Sequence, residues 1–126
     1  MSIATVDAAA SAVTYNLFRS EGNRASYIGP SHSDLVKQQI IVTSVSPKQV
    51  SDSYGNRRST LNCVQTVTVA NPAGDNVKRD MKLEMNASIP VGATFAEFQE
   101  LMAHIADIAA NDTIMESIFL TGKIEL

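Results

Sequence analysis

The chain has 126 residues, 44% of them apolar and 18% charged, with a formal net charge of −3. That is one domain's worth of ordinary globular composition, and the acidic balance excludes an indiscriminate nucleic-acid binder. A single cysteine, Cys63, excludes a disulfide framework and a multi-cysteine zinc site, and no run is long and apolar enough for a membrane span.

The N-terminal Met1–Asp7 lacks the basic start and apolar core of a secretion signal, so the expected compartment is cytosolic. Ile3–Val6 reads as a short first strand, Val13–Arg19 as a second ended by Ser20–Asn23, and Arg24–Ile28 as a third closed by Gly29-Pro30. Val36–Val45 is the strongest β signal, because Ile40, Ile41, Val42 and Thr43 are all branched at Cβ. Pro47 stops it, and Lys48–Asn56 is a polar loop. Ser59–Val69 follows, with Thr66 and Thr68 on one face and Val67 and Val69 on the other. After the turn Asn71–Asn76, Val77–Ile89 puts Met81, Leu83, Met85 and Ala87 on one side and Lys82, Glu84 and Asn86 on the other. Short loops between successive strands imply an antiparallel meander.

At Pro90–Ala93 the period changes. Thr94 and Glu97 have capping-box spacing, in which the hydroxyl takes a free N–H and the carboxylate reaches back. Phe95, Phe98, Leu101, Met102, Ile105, Ile108 and Ala109 form a helical stripe. Asp112 is placed to cap a shorter helix with Ile114, Met115, Ile118 and Phe119 on its apolar side, ended by Gly122 and followed by a short tail. The fold class is therefore α+β: an N-terminal strand hairpin over 1–30, an antiparallel sheet over 36–90 and two helices over 94–121, in a single domain spanning 1–126. One long and one short helix cannot cover the face and edges of six strands, so the chain is expected to pair with a copy of itself.

Charge is sorted along this order. Lys37, Lys48, Arg57, Arg58, Lys78, Arg79 and Lys82 face only Asp52, Asp75 and Asp80, a balance of +4 from Lys37 to Lys82. From Leu83 onward Glu84, Glu97, Glu100, Asp107, Asp112, Glu116 and Glu125 face only Lys123, a balance of −6. A polyanion would choose the strands over the helices.

Enzyme chemistry is not visible. His32 sits in a polar turn, and His104 shares the solvated side of a helix with Glu100 and Asp107. Cys63 lies inside a strand and reads as a small packed residue rather than a nucleophile. Lys82 and Glu84 are better explained as a polar pair than as acid and base. No phosphate-binding glycine loop, nucleophile elbow or zinc spacing occurs. No cofactor and no metal is expected.

Three stretches carry a family resemblance: Val42–Ser46 followed by a polar loop and Asn56-Arg57-Arg58; Val67–Pro72; and Arg79–Glu84 through Ile89-Pro90 to Ala93-Thr94 and the closing helices. In these and in its order of elements, the chain resembles the coat protein of the small single-stranded RNA bacteriophages, the levivirus-type coat protein. The resemblance implies an N-terminal hairpin over one side of a five-stranded sheet, and an intertwined homodimer whose helices clasp the partner's sheet. It further implies a ten-stranded platform lining an icosahedral shell in a virion, assembled in the cytoplasm of a bacterial host. Single-stranded viral RNA is the second partner, gripped in well-studied members as a hairpin that represses translation.

Carried onto this sequence, the candidate RNA-facing positions are Thr43, Ser44 and Ser46, in a strand whose facing the run Ile40-Ile41-Val42 leaves open; Arg57 and Arg58; Asn62, Thr66 and Thr68; and Lys82 and Glu84. The family's aromatic is replaced by Lys82, which pairs with a phosphate but does not stack on a base, and the threonines also satisfy simple β propensity. Phe95, Phe98, Leu101, Met102, Ile105 and Ile108 become the dimer clasp. One departure is plain: where the family has an additional strand and a long loop, Pro72–Arg79 leaves only a tight turn. Contacts around the shell's axes are then expected from Lys48–Gly55. The competing reading is a cellular dimeric module with a ligand- or RNA-binding sheet.

Overall fold

A computed structural model describes residues 1–124. The last two residues of the expected tail, Glu125 and Leu126, lie outside the described residues. The chain divides into two compact units, one of strands ending at Val91 and one of helices starting at Gly92.

The first unit is one six-stranded antiparallel sheet in sequential order: β1 (Ser2–Val6), β2 (Ala12–Glu21), β3 (Arg24–Ile28), β4 (Gln38–Val45), β5 (Asn56–Ala70) and β6 (Asn76–Pro90). The N-terminal hairpin β1–β2 is hydrogen-bonded into the same sheet as the rest, rather than lying over a separate five-stranded one. β2 runs two residues beyond the expected end because Ser20 and Glu21 pair with Ala25 and Arg24 across a tight turn whose Gly22 takes φ +54°. β4 starts two residues later than expected. Val36 N–H donates to Ser33 Oγ and Lys37 N–H to Thr66 Oγ1, so the regular ladder takes up at Gln38.

β5 and β6 form the longest hairpin, with fifteen residues in each strand and an unbroken register from Asn56↔Pro90 to Ala70↔Asn76. At the turn, Asn71 Oδ1 accepts from Asp75 N–H and Gly74 sits at φ +87°. The first residues of β5 enter the strand earlier than expected, since Asn56, Arg57 and Arg58 already pair with Pro90, Ile89 and Ser88. Gly55 closes the preceding loop at φ +86°, where the Lys48 backbone occupies the space a Cβ would need.

The strict register sorts side chains into two faces, since residues directly opposite one another share a face. On one, the row Leu17–Tyr27–Ile40–Cys63–Leu83 crosses the sheet, flanked by Ser20–Ala25–Val42–Leu61–Met85. This is the apolar face. Tyr27 and Ile40 are buried at its centre, whereas Leu83 and Met85 on the edge strand β6 stay 57% and 52% exposed. Cys63 belongs to this row and is exposed, not packed away, so the reading of it as a packed core residue is corrected. Partial desolvation by its neighbours pushes its thiol pKa up.

The second unit holds α1 (Phe95–Ala109) and α2 (Asp112–Phe119). Thr94 Oγ1 accepts from Glu97 N–H at 3.3 Å, which is the hydroxyl half of the expected capping box; the reciprocal carboxylate bond does not form among the described residues. α2 is capped by Asn111, not by Asp112: Asn111 Oδ1 accepts from Ile114 N–H, and Asp112 is the first helical residue, where its charge favours the helix dipole. His104 stands 3.7 Å from Glu100 one turn away on the solvated side of α1. Neither helix has a buried residue. Along the expected stripe, Phe95, Leu101, Met102, Ile105 and Ile108 are all exposed, and Phe98 is half-buried beside the Phe95 ring at a centroid distance of 6.5 Å.

Candidate nucleic-acid interface

The sheet's other face is polar, and its rows follow from the same register. Glu21–Arg24–Thr43–Thr60–Asn86 crosses from β2 to β6, and Arg19–Ser26–Ile41–Asn62–Glu84 lies beside it. Next come Asn16–Ile28–Gln39–Val64–Lys82, then the pairs Thr66–Asp80 and Thr68–Lys78 on the part of the hairpin that outruns β4. At the opposite end, Val45–Arg58–Ser88 closes the face.

Of the expected RNA-facing residues, the register brings together Thr43, Arg58, Asn62, Thr66, Thr68, Lys82 and Glu84 on this face. It separates the others. Ser44 and Arg57 fall on the apolar face, where Arg57 Nη1 donates to Ser44 Oγ at 3.1 Å and Ser59 Oγ donates to the same hydroxyl. Ser46 lies beyond the end of β4, in the connecting loop. The physical reason is the period of two: Thr43 and Ser44, or Arg57 and Arg58, are neighbours along one strand and cannot both point the same way. Arg79 likewise shares the apolar side with Val67, and its Nη1 bonds the Lys78 carbonyl.

The register also adds residues that sequence reasoning did not single out. Thr60 sits between Thr43 and Asn86 and donates to Asn86 Oδ1 at 2.9 Å. Arg24 lies opposite Thr43. A parity count from the tight β5–β6 turn, which pairs even-numbered residues with even-numbered ones, reaches Thr60 directly.

Charge on this face is uneven in its availability. Asp80 is occupied: Lys37 Nζ donates to its Oδ2 at 3.0 Å and Thr66 Oγ1 to its Oδ1 at 2.9 Å. The Lys37 hydrogen bond, followed by that of Thr66, holds the Asp80 carboxyl below the usual carboxylate range. Among the described residues Arg24, Arg58, Lys78 and Lys82 have no salt-bridge partner, so their charge is open to an incoming anion. Glu84 remains an acceptor beside Asn62, whose Oδ1 is turned away from solvent with no hydrogen-bond partner. An unsatisfied acceptor of that kind costs about 1–3 kcal/mol, a cost often retained where a polar group has a functional role. No cluster of His, Cys, Asp and Glu suited to a metal occurs among the described residues.

No protein-family model and no curated protein sequence matches the chain. Solved structures do. The virus-like particle of Wenzhou levi-like virus 4 superimposes with a TM-score of 0.76 at 21% identity, covering 88% of this chain and 77% of that one. The virus-like particle of Beihai levi-like virus 32 gives 0.77 at 15% identity, covering 90% and 88%. The capsid protein of bacteriophage GA gives 0.66 at 14% identity, covering 99% and 97%. The chain has the levivirus-type coat fold. At these identities the likeness is one of architecture, and it extends over 88–99% of this chain. Within that fold the tight Asn71–Asn76 connection is a property of this chain's own β5–β6 hairpin.

Proposed function

We propose that this protein is a capsid subunit of a levi-like RNA phage, which dimerises, assembles into a shell and lines it with a face that binds single-stranded viral RNA. One observation carries the reading: the register divides the sheet into an apolar face ending in exposed Leu83 and Met85, and a polar face on which Arg24, Arg58, Lys78 and Lys82 have no salt-bridge partner among the described residues. The structural neighbours are particles and a capsid, which supports the assembly half of the proposal.

Dimerisation rests on two uncovered surfaces. β6 is an edge strand of fifteen residues, and a long unpaired edge is a template for another strand. Two such edges paired antiparallel extend the sheet through a second copy. The α1 stripe of Phe95, Phe98, Leu101, Met102, Ile105 and Ile108 then supplies an apolar cover for the partner's Met81, Leu83 and Met85. Each such side chain contributes roughly 1.5–3 kcal/mol when fully buried, enough in sum for an obligate pair.

On the polar face, Arg58, Lys78 and Lys82 neutralise phosphates, while Thr43, Thr60, Asn62, Thr66, Thr68 and Glu84 offer hydroxyl, amide and carboxylate groups to unstacked bases. Recognition of one particular hairpin, with repression of translation, is a further use of the same face. Ser44 and Arg57 are left out of the RNA set by their facing. The loop Lys48–Gly55, with exposed Val50 and Tyr54, is the candidate for contacts between dimers.

The test is expression of the full chain followed by size-exclusion chromatography. A megadalton particle with the absorbance of RNA is expected, and Arg58→Ala with Lys82→Ala should lower the RNA content and flatten the salt dependence of binding by about 0.7 per lost phosphate contact. A lone dimer free of nucleic acid would replace this reading with that of a cellular binding module.

A further inference from the structure

The β2–β3 pairing contains a feature that the RNA set above does not use. Leu17 pairs with Tyr27 and Arg19 with Ser26, so Phe18 is an extra residue with no partner, a β-bulge. Alternation from Asn16 places Phe18 on the polar face, and the bulge re-aims the next residue, so that Arg19 falls on the same face beside it. Phe18 is 66% exposed and lines a cavity of about 240 Å³ together with Arg19, Glu21, Arg24, Ser26 and Gln39. An exposed aromatic ring next to two guanidinium groups, on the polar side of a sheet, is not explained by packing.

We propose that this cavity is a nucleotide subsite for single-stranded RNA, in which one unpaired base stacks on Phe18 and an adjoining phosphate is held by Arg24. The inference rests on the RNA-binding reading of the polar face and extends it to β2 and β3. Three properties select this ligand. The volume falls below the roughly 300–1,000 Å³ of sites for drug-sized molecules, so it suits one flat ring rather than a whole cofactor. Ser26 and Gln39 line the cavity and provide donors and acceptors for the edge of a base stacked there. And the cavity is continuous with the row proposed to meet unstacked bases, since Arg24 pairs directly with Thr43 and through it with Thr60 and Asn86. Glu21 holds Arg19 at 2.9 Å, which leaves Arg24 as the free cation and Arg19 as a guanidinium fixed in orientation beside the ring.

The experiment measures binding of fluorescein-labelled oligoadenylate and of an abasic oligonucleotide of equal length to the full-length protein as shell-free dimers stripped of packaged RNA, by anisotropy at fixed salt. Phe18→Ala should weaken oligoadenylate binding by about 5- to 150-fold, the loss of one base stack, and leave abasic binding unchanged. Phe18→Trp should retain binding. Photo-cross-linking of a 4-thiouridine oligonucleotide to the unaltered chain should label residues 18–26, a readout that no folding defect in a variant affects. If wild-type protein binds oligoadenylate, Phe18→Ala binds it equally and no label reaches 18–26, the subsite is refuted while the RNA-binding face stands. If wild-type protein binds neither oligonucleotide, both readings fall.

Discussion

Truncating Leu101 to alanine tests whether the α1 stripe is held by a second copy of the chain. Leu101 is 60% exposed in the single chain. Full burial of a leucine side chain contributes about 1.5–3 kcal/mol, so covering the remaining part in a dimer contributes about 1–2 kcal/mol per copy. A two-fold dimer contains the contact twice, and Leu101→Ala should therefore destabilise it by about 2–4 kcal/mol, or roughly 30- to 800-fold in dissociation constant. Because folding and pairing are expected to be one transition, the assay is urea unfolding followed by circular dichroism at several protein concentrations. The wild-type midpoint should rise with concentration, as mass action requires of a dimer that unfolds to monomers. Leu101→Ala should lower the midpoint at every concentration. Glu100→Gln, on the solvated side of the same helix, should barely move it. A wild-type midpoint independent of concentration would refute the argument, as would a Leu101→Ala curve superimposed on that of Glu100→Gln.

Two further substitutions probe the sheet unit. Gly55→Ala should cost about 2–5 kcal/mol, because φ is +86° and an added Cβ would collide with the Lys48 carbonyl oxygen, whereas Gly74→Ala, at a similar φ but in open space, should cost only about 1–2 kcal/mol; equal losses in urea melts would count against the tight Lys48–Gly55 loop. Asp80 has a lowered folded pKa, so its bonds to Lys37 and Thr66 stabilise the hairpin above the unfolded value of about 3.9 and are lost as pH falls through the folded value. The gap in thermal midpoint between wild type and Asp80→Asn should be open at pH 7 and close in strong acid; a gap unchanged across that range would show that the carboxylate carries no such role.

Much of the architecture is legible because period and parity are local properties. The switch from two-residue alternation at Met81, Leu83 and Met85 to the 3.6-residue stripe beginning at Phe95 locates the boundary between strands and helices. Other features depend on one residue and leave little trace. Asn111 and Asp112 are both good caps, and only backbone geometry gives the role to Asn111. The bulge at Phe18 looks like strand in a sequence, since a phenylalanine between leucine and arginine fits the alternation until a partner strand skips it. For the candidate site, the pleat sends Thr43 and Ser44, or Arg57 and Arg58, to opposite faces, but which member of each pair joins the polar face follows only from the register across β4, β5 and β6.

Apolar composition has a related limit that becomes informative once the fold is known. The chain is 44% apolar, yet among the described residues only Tyr27, Ile40 and Val64 are buried apolar side chains. A soluble domain of this length ordinarily removes about two-thirds of its chain surface from water, and its apolar residues account for most of that. Periodicity correctly marks Leu83, Met85, Leu101 and Ile105 as members of apolar faces, but the rule that such a face is covered says nothing about which chain covers it. Exposed leucines scattered singly need no explanation, whereas these are consecutive members of one strand face and one helix stripe. That contiguity argues for a complementary surface of the same composition, and a second copy carries both halves of it: a strand edge matching β6 and a stripe matching the uncovered row beside it.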